Sequence, residues 1–514
     1  MTLLASLVAA SERVGAASSR LTKVRELAAF MTTLAPGEIE AAVHYLSGEI
    51  SQGRIGIAHQ ALETAAVHSA AADATLELVE VDRSLALIAG IRGPGSAARR
   101  AQALAALFSR ATAAEQGFLI RLIVGELRQG ALAGIMVEAI SEAAQLPAAQ
   151  VRRAAMYSNS LGPVARSALL DGGESLARFQ LEPFRPASPM LAQTAADAGE
   201  ALRELGGEAA FEWKMDGARI QAHKVGDEVR IYTRSLNEVT DAVPEIVGAL
   251  RGLDARTLIL DGEAIAFNSS ERPHPFQITM RRFGRKLDVA SMRAELPIRA
   301  FFFDCLHAGG RSITDRPTTE RVQALAEAVP AALRIPRLVT ASEPEASAFY
   351  HAAIAAGHEG LMAKSLDAPY EAGNRGAGWL KIKRAHTLDL IVLAAEWGHG
   401  RRTGLLSNLH LGAFDRATSE YVMLGKTFKG LTDAMLEWQT QQLLARETRR
   451  DQWTVYVRPE LVAEIAFSDL QASVRYPGGL ALRLARVKRY RDDKSAAEAD
   501  TMDSVRRIYA AQLH

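Results

Sequence analysis

Cysteine is all but missing from this chain. Cys305 stands alone among 514 residues, which excludes an internal disulfide and any zinc site built on several thiolates. A reducing compartment fits that usage, and cytoplasmic residence is the expectation. No apolar run is long enough to cross a bilayer, so no membrane partner is expected. The start, MTLLASLVAA, has no basic segment ahead of it, and Ser11-Glu12-Arg13 closes it quickly. It reads as a first helix and not as a secretion signal. Charge of one sign is missing too. Sixty Lys and Arg stand against 59 Asp and Glu, a net of +1, so any nucleic-acid binding must come from local basic patches.

Familiar phosphate loops are also absent. GKT at 425–427 resembles the end of a P-loop, but position 420, where that loop needs glycine, is Glu. GHGRRTG at 398–404 has the wrong spacing for a dinucleotide fingerprint, and a strand pattern follows it instead of a helix. If a nucleotide is used, it is held another way.

What is present falls into three parts, as the length of the chain suggests. Residues 1–182 are alanine-rich and helical. Leu21, Val24, Leu27 and Ala28 share one face, as do Ile39, Val43 and Leu46. GFLIRLIVGELRQGAL predicts one strongly apolar, central helix. The prolines of EPFRPASPMLA mark a linker. Residues 183–385 mix strands and helices: ARIQAHKV and EVRIYTR alternate in polarity around Gly226-Asp227, and TLILDGEAIAF and IRAFFFDCLH predict buried strands. Residues 386–514 predict about five short strands with one helix, TDAMLEWQTQQLLARE, between the third and fourth. That pattern suggests an OB-type barrel.

EWKMDGARI at 212–220 carries the chemistry. Taken alone, Asp216-Gly217 reads as a hairpin turn between two strands. The pattern Lys-x-Asp-Gly-x-Arg also suits covalent catalysis by Lys214. A lysine attacks phosphorus only as a neutral amine, which neighbouring cations and desolvation favour, and Arg219 is a candidate neighbour.

The ordered motifs resemble those of the ATP-dependent DNA ligases, within the lysine nucleotidyltransferases: KMDGAR at 214–219, YTRSLNEVT at 232–240, LDGEAIAF at 260–267, FFFDCL at 301–306, EGLMAK at 359–364, WLKIK at 379–383 and RLARVKRYRDDK at 483–494. The resemblance spans the whole chain, and the alanine- and arginine-rich usage, with phrases like EWGHGRRTG, resembles actinobacterial, single-chain versions. It implies an all-α DNA-binding domain, an α/β adenylation domain and a C-terminal OB-fold barrel, acting as a monomer on nicked double-stranded DNA with ATP.

The resemblance implies roles residue by residue. Lys214 becomes lysyl-AMP. Glu212, two positions earlier on the same side of a regular strand, reads the adenine amino group. Phe303 stacks on adenine, and Arg219 and Arg234 meet the nucleotide and its phosphate. Glu263 binds ribose or metal, and Glu359 holds a second metal. Arg375, in the glycine-rich GNRGAGW, approaches phosphate. Lys381 and Lys383 project together opposite Leu380 and Ile382 and suit a triphosphate. Arg491 and Lys494 orient the pyrophosphate leaving group. With no histidine-spaced metal set, the metal is expected to be Mg2+ on carboxylates and phosphates. RPHPFQITMRRFGRK at 272–286, with five basic residues and no acidic one, and the basic closing motif suggest a groove that tracks DNA phosphates. An RNA ligase or other lysine nucleotidyltransferase, and a nick-binding protein with a dead site, are the alternatives. The large helical region argues against the first, and the retained motif set against the second. A four-cysteine zinc module, usual in NAD-dependent ligases, is excluded.

Overall fold

Apolar residues at helical spacing close the first third of the chain around one core. A computed structural model describes residues 1–513 apart from 54, 67–69, 128, 130–132, 285–288, 373–377, 384–385 and 400–401. Among the described residues, ten helices run from Leu4–Ala16 to Leu161–Leu170, and Leu7, Leu27, Val43, Leu85, Phe118 and Ile140 are buried among them. Thr112 and Glu115 form a reciprocal capping box at the start of helix Ala113–Val124. That helix ends where Gly125 turns left-handed, at φ +74°, so the apolar run is not the single long helix its composition suggests. Part of the remainder, 128 and 130–132, lies outside the described residues.

The chain divides into two compact units, residues 1–349 with 362–381, and residues 350–361 with 382–514. The division passes through strands Gly360–Lys364 and Trp379–Lys383.

In the first unit the helical region and the α/β region share a core. Met156 and Tyr157 are buried in one cluster with Met190, Met215, Phe303 and Trp379. The Tyr157 hydroxyl lies 2.6 Å from the Thr314 hydroxyl, and Ser188 N–H donates to the Met156 carbonyl at 2.9 Å. The α/β region holds two five-stranded sheets. One runs in the order Gln193–Thr194, Trp379–Lys383, Gly360–Lys364, Ala209–Lys214, Arg337–Thr340. The other runs Glu228–Thr233, Ala218–Val225, Thr257–Ala266, Ile298–Ala308, Arg311–Ser312. ARIQAHKV and EVRIYTR pair antiparallel, as their alternation predicts.

The second unit is richer in strands than the five expected. His386–Trp397 is long enough to pair with Leu406–Asp415 on one side and with both Thr454–Val457 and Val462–Phe467 on the other. LVAEIAFSDL, expected as one strand, breaks at Ser468 into Val462–Phe467 and Asp469–Ala472, and the second piece pairs with Leu480–Arg483. The closing basic motif supplies Arg486–Tyr490, paired with Val462–Phe467. Helix Asp433–Ala445 lies between the third and fourth expected strands. Among the described residues no helix is long and apolar enough to cross a membrane.

One ion pair in the α/β region is buried on both sides. Arg321 and Asp304 are both fully buried and bond through two N–H groups at 2.8 and 3.0 Å. Burial works against the Asp304 carboxylate, but the Arg321 guanidinium overcomes it and holds the group below its ordinary value. Arg321→Leu leaves that charge buried without its partner. The expected loss is about 3–5 kcal/mol of unfolding free energy, read by chemical denaturation, with the double change Arg321→Leu, Asp304→Leu losing less.

Candidate active site

Strand Ala209–Lys214 ends at Lys214, and the next strand begins at Ala218. The two belong to different sheets, so Met215-Asp216-Gly217 is a crossover and not the hairpin turn its composition suggests. Gly217 is not among the left-handed glycines. Its requirement is space: a Cβ there would fall against the Ala264 carbonyl oxygen and within 2.9 Å of the Glu263 side chain. The missing side chain lets the crossover lie against the Glu263 strand.

Glu263 is half-buried, and burial pushes its carboxyl up to about 8, against the pull of Lys214 and Arg219; Asp261 and Asp216 add to the rise. Arg219 sits opposite Glu263 in the strand register, but its guanidinium is committed elsewhere. It bonds both oxygens of Asp261, at 3.0 and 2.6 Å, and the Met190 carbonyl at 2.6 Å. Tyr370 closes the cluster by donating to Asp261 at 2.7 Å. Arg219, the expected cationic neighbour of Lys214, is thus paired with the buried Asp261.

Glu212 lies two residues before Lys214 on a regular strand and is buried. Arg337, its register partner across the sheet, donates to Oε1 through Nε at 2.9 Å and through Nη2. Lys364 approaches Oε2 at 2.8 Å. The Lys364 ammonium also lies over the rings of Trp379 and Phe303, at 4.2 and 4.6 Å from their centroids. Phe303 is buried, and Trp379 meets it edge-on at 5.9 Å.

The other expected residues are placed less closely. Arg234 is exposed on the turn after Glu228–Thr233. Arg375 lies outside the described residues. Lys381 and Lys383 are half-buried on one face of their strand, opposite buried Leu380 and Ile382. Lys383 forms an ion pair with Glu359, which competes with the expected metal role of that carboxylate. Arg491 and Lys494 both bond Asp389 Oδ2, at 2.8 and 2.6 Å, inside the second unit. The expected phosphate-tracking run at 272–286 loses a member. Arg282 is buried, bonded to Glu245 and to the carbonyls of Leu296 and Ala242, so it braces the fold. Residues 285–286 lie outside the described residues.

Among the described residues no group of three or more His, Cys, Asp or Glu is arranged for a metal ion. The expected donors are carboxylate oxygens, which suit a hard divalent cation sharing its shell with phosphates and water. The partners Asp261, Tyr370, Arg337, Lys364 and Asp389 went unassigned in the sequence. Lys364 closes the motif EGLMAK and could have been found there. Arg337 has no local signal.

Three family models match the chain. Residues 56–141 match "DNA ligase N terminus", residues 189–383 match "ATP dependent DNA ligase domain", and residues 402–494 match "ATP dependent DNA ligase C terminal region". A "Probable DNA ligase" of Anaeromyxobacter sp. (strain K) is 58% identical over 510 residues, covering 99% of each chain. One from Mycolicibacterium gilvum is 53% identical over 509 residues, again covering 99% of each. A solved structure titled "Pmar-Lig_PreS3" aligns with a TM-score of 0.62 at 17% identity, over 94% of this chain and 99% of that one, a likeness of fold.

Proposed function

Since this chain belongs to the ATP-dependent DNA ligase family, we propose that Lys214 is its nucleophile and that residues 183–385 form the adenylation domain, flanked by a DNA-binding helical region and barrel. The carrying observation is the crossover that sets Lys214 beside Glu263, with Glu212 two residues back on the same strand. In the first step the Lys214 amine attacks the α-phosphorus of ATP. A P–N bond forms, the bond to the β-phosphate oxygen breaks, and pyrophosphate leaves as the amine loses its proton. In the second step AMP passes to the 5′-phosphate at a nick. In the third the 3′-hydroxyl displaces AMP and seals the strand.

Each remaining group has a part in this reading. Glu212 accepts from the adenine amino group, and Phe303 supports the base. Lys381, Lys383, Arg234 and Arg375 serve the phosphates. Glu263 would hold the ribose or a metal and Glu359 a second metal, with Mg2+ as the ion, whose chemistry is to neutralise charge on the transferring phosphoryl group. The enzyme acts as a monomer.

The test is incubation with α-labelled ATP and Mg2+, followed by a chase with nicked duplex DNA. Label is expected first on protein, then on DNA, then in free AMP. With unlabelled substrates, ATP drives sealing and NAD does not. NAD-driven sealing by the pure protein, or label that never leaves the protein in the chase, contradicts the reading.

A further inference from the structure

Both oxygens of Glu212 are already in use. Arg337 supplies two donors to Oε1, through Nε and Nη2, and Lys364 supplies one to Oε2 at 2.8 Å. A carboxylate offers about four lone-pair sites, two on each oxygen. Three are therefore filled, and the one left open is on Oε2, the oxygen that Lys364 holds. Neither cation is free to wander. Arg337 Nη2 also donates to the Phe303 carbonyl at 2.9 Å. Lys364 is 1% exposed, bonds the same carbonyl at 3.3 Å and is covered by the Trp379 and Phe303 rings.

We propose that Lys364 and Arg337 are positioning residues for base selection, holding Glu212 as a hydrogen-bond acceptor with a single open site that takes an amino group and rejects a carbonyl. The inference rests on the reading of Glu212 as the base-reading residue. Adenine presents an amine at its 6 position, and hypoxanthine and guanine present a carbonyl oxygen. Against a carboxylate whose other three acceptor sites are filled by two cations, that oxygen meets like charge and no donor. A buried site built around one hydrogen bond rejects the analogue that lacks it strongly, because its polar group is left unpaired. Without Lys364, Oε2 loses the donor that fixes it, the carboxylate can turn about the Arg337 bonds that remain, and its open acceptor site is no longer aimed at one group. The cations thus set the selectivity through Glu212, the residue they hold.

ITP is the appropriate probe, because it replaces the 6-amino group with a carbonyl and changes nothing else but the proton that N1 then carries. Labelled Lys214 adduct would be followed with ATP and with ITP for the wild type, Lys364→Met, Arg337→Gln, Lys364→Arg and Glu212→Gln, each checked by its melting temperature. In Lys364→Met the ATP-to-ITP ratio of kcat/KM is expected to fall at least about tenfold, the scale of one mispaired polar contact. The change should lie mainly in KM, with Arg337→Gln moving the same way and Lys364→Arg retaining most of the ratio. Arg337 reaches the surface more than Lys364 does, so its variant serves where Lys364→Met fails to fold. If Glu212→Gln collapses the ratio while a folded Lys364→Met or Arg337→Gln keeps it, the positioning role is overturned and base reading stands. If Glu212→Gln also keeps the ratio, base reading itself falls and takes the inference with it.

Discussion

Lys214→Ala is expected to give protein that folds normally, carries no AMP and seals no nicks. The side chain lies at a strand end and is half-buried, so its loss opens little space in the core. Chemically nothing replaces it. Arg219 is bound to Asp261 and cannot lose its proton at neutral pH, and Lys364 is sealed behind Glu212. Removing a covalent nucleophile acts on the order of 10⁴-fold or more. Intact mass after incubation with ATP and Mg2+ should show the unmodified chain alone. The same variant given a nick already carrying AMP should retain part of its third-step activity, because the amine has finished its work by then. A normal adduct on Lys214→Ala would remove the assignment and the three-step reading with it.

The double change Arg491→Ala, Lys494→Ala is expected to separate the steps. Pyrophosphate is present only in the first, so cations that orient it act there alone. Self-adenylation should fall by about 10²-fold or more, the scale for losing a preorganised donor from a developing charge. Sealing of a pre-adenylated nick should stay within a few-fold, roughly. The structure adds a condition. Both cations bond Asp389, and Arg491 also bonds Asp493. To reach a leaving group they must leave Asp389, a change of the domain-closure kind. The substitution also strips Asp389 of two donors, so the comparison belongs in an Asp389→Asn background as well. Equal failure on ordinary and pre-adenylated nicks would reduce both residues to DNA contacts.

Local rules made the nucleophile strand readable. Alternation alone puts Glu212 and Lys214 on one side and Lys381 with Lys383 on another, and the strands keep both patterns. Gly217 was readable as a glycine that matters but not for the right reason. A turn needs it for its dihedral angles, whereas here the need comes from Ala264, far along the chain. Distance in sequence hid the rest. Arg337 reaches Glu212 across an antiparallel register, and no neighbouring residue announces it. Arg282 looked like a surface cation because its partner Glu245 belongs to another helix. The helix stop at Gly125 was in plain view but was outweighed by the apolar run around it. Metal and phosphate roles came from resemblance, since a lone glutamate in a strand carries no signal of its own.

The shared core of the helical and α/β regions has a consequence for synthesis on the ribosome. Met156 and Tyr157 leave the exit tunnel early, and the helices before them can close around their own core at once. The partners that bury the other side, Phe303 and above all Trp379, follow as much as roughly 220 residues later. At about 5–20 residues per second, that is roughly 10 to 45 seconds during which this apolar cluster is incomplete. The nascent chain is then a folded bundle with a sticky edge. Slow decoding in the stretch before Trp379 would lengthen its exposure, and it is the natural place for a chaperone to hold the chain.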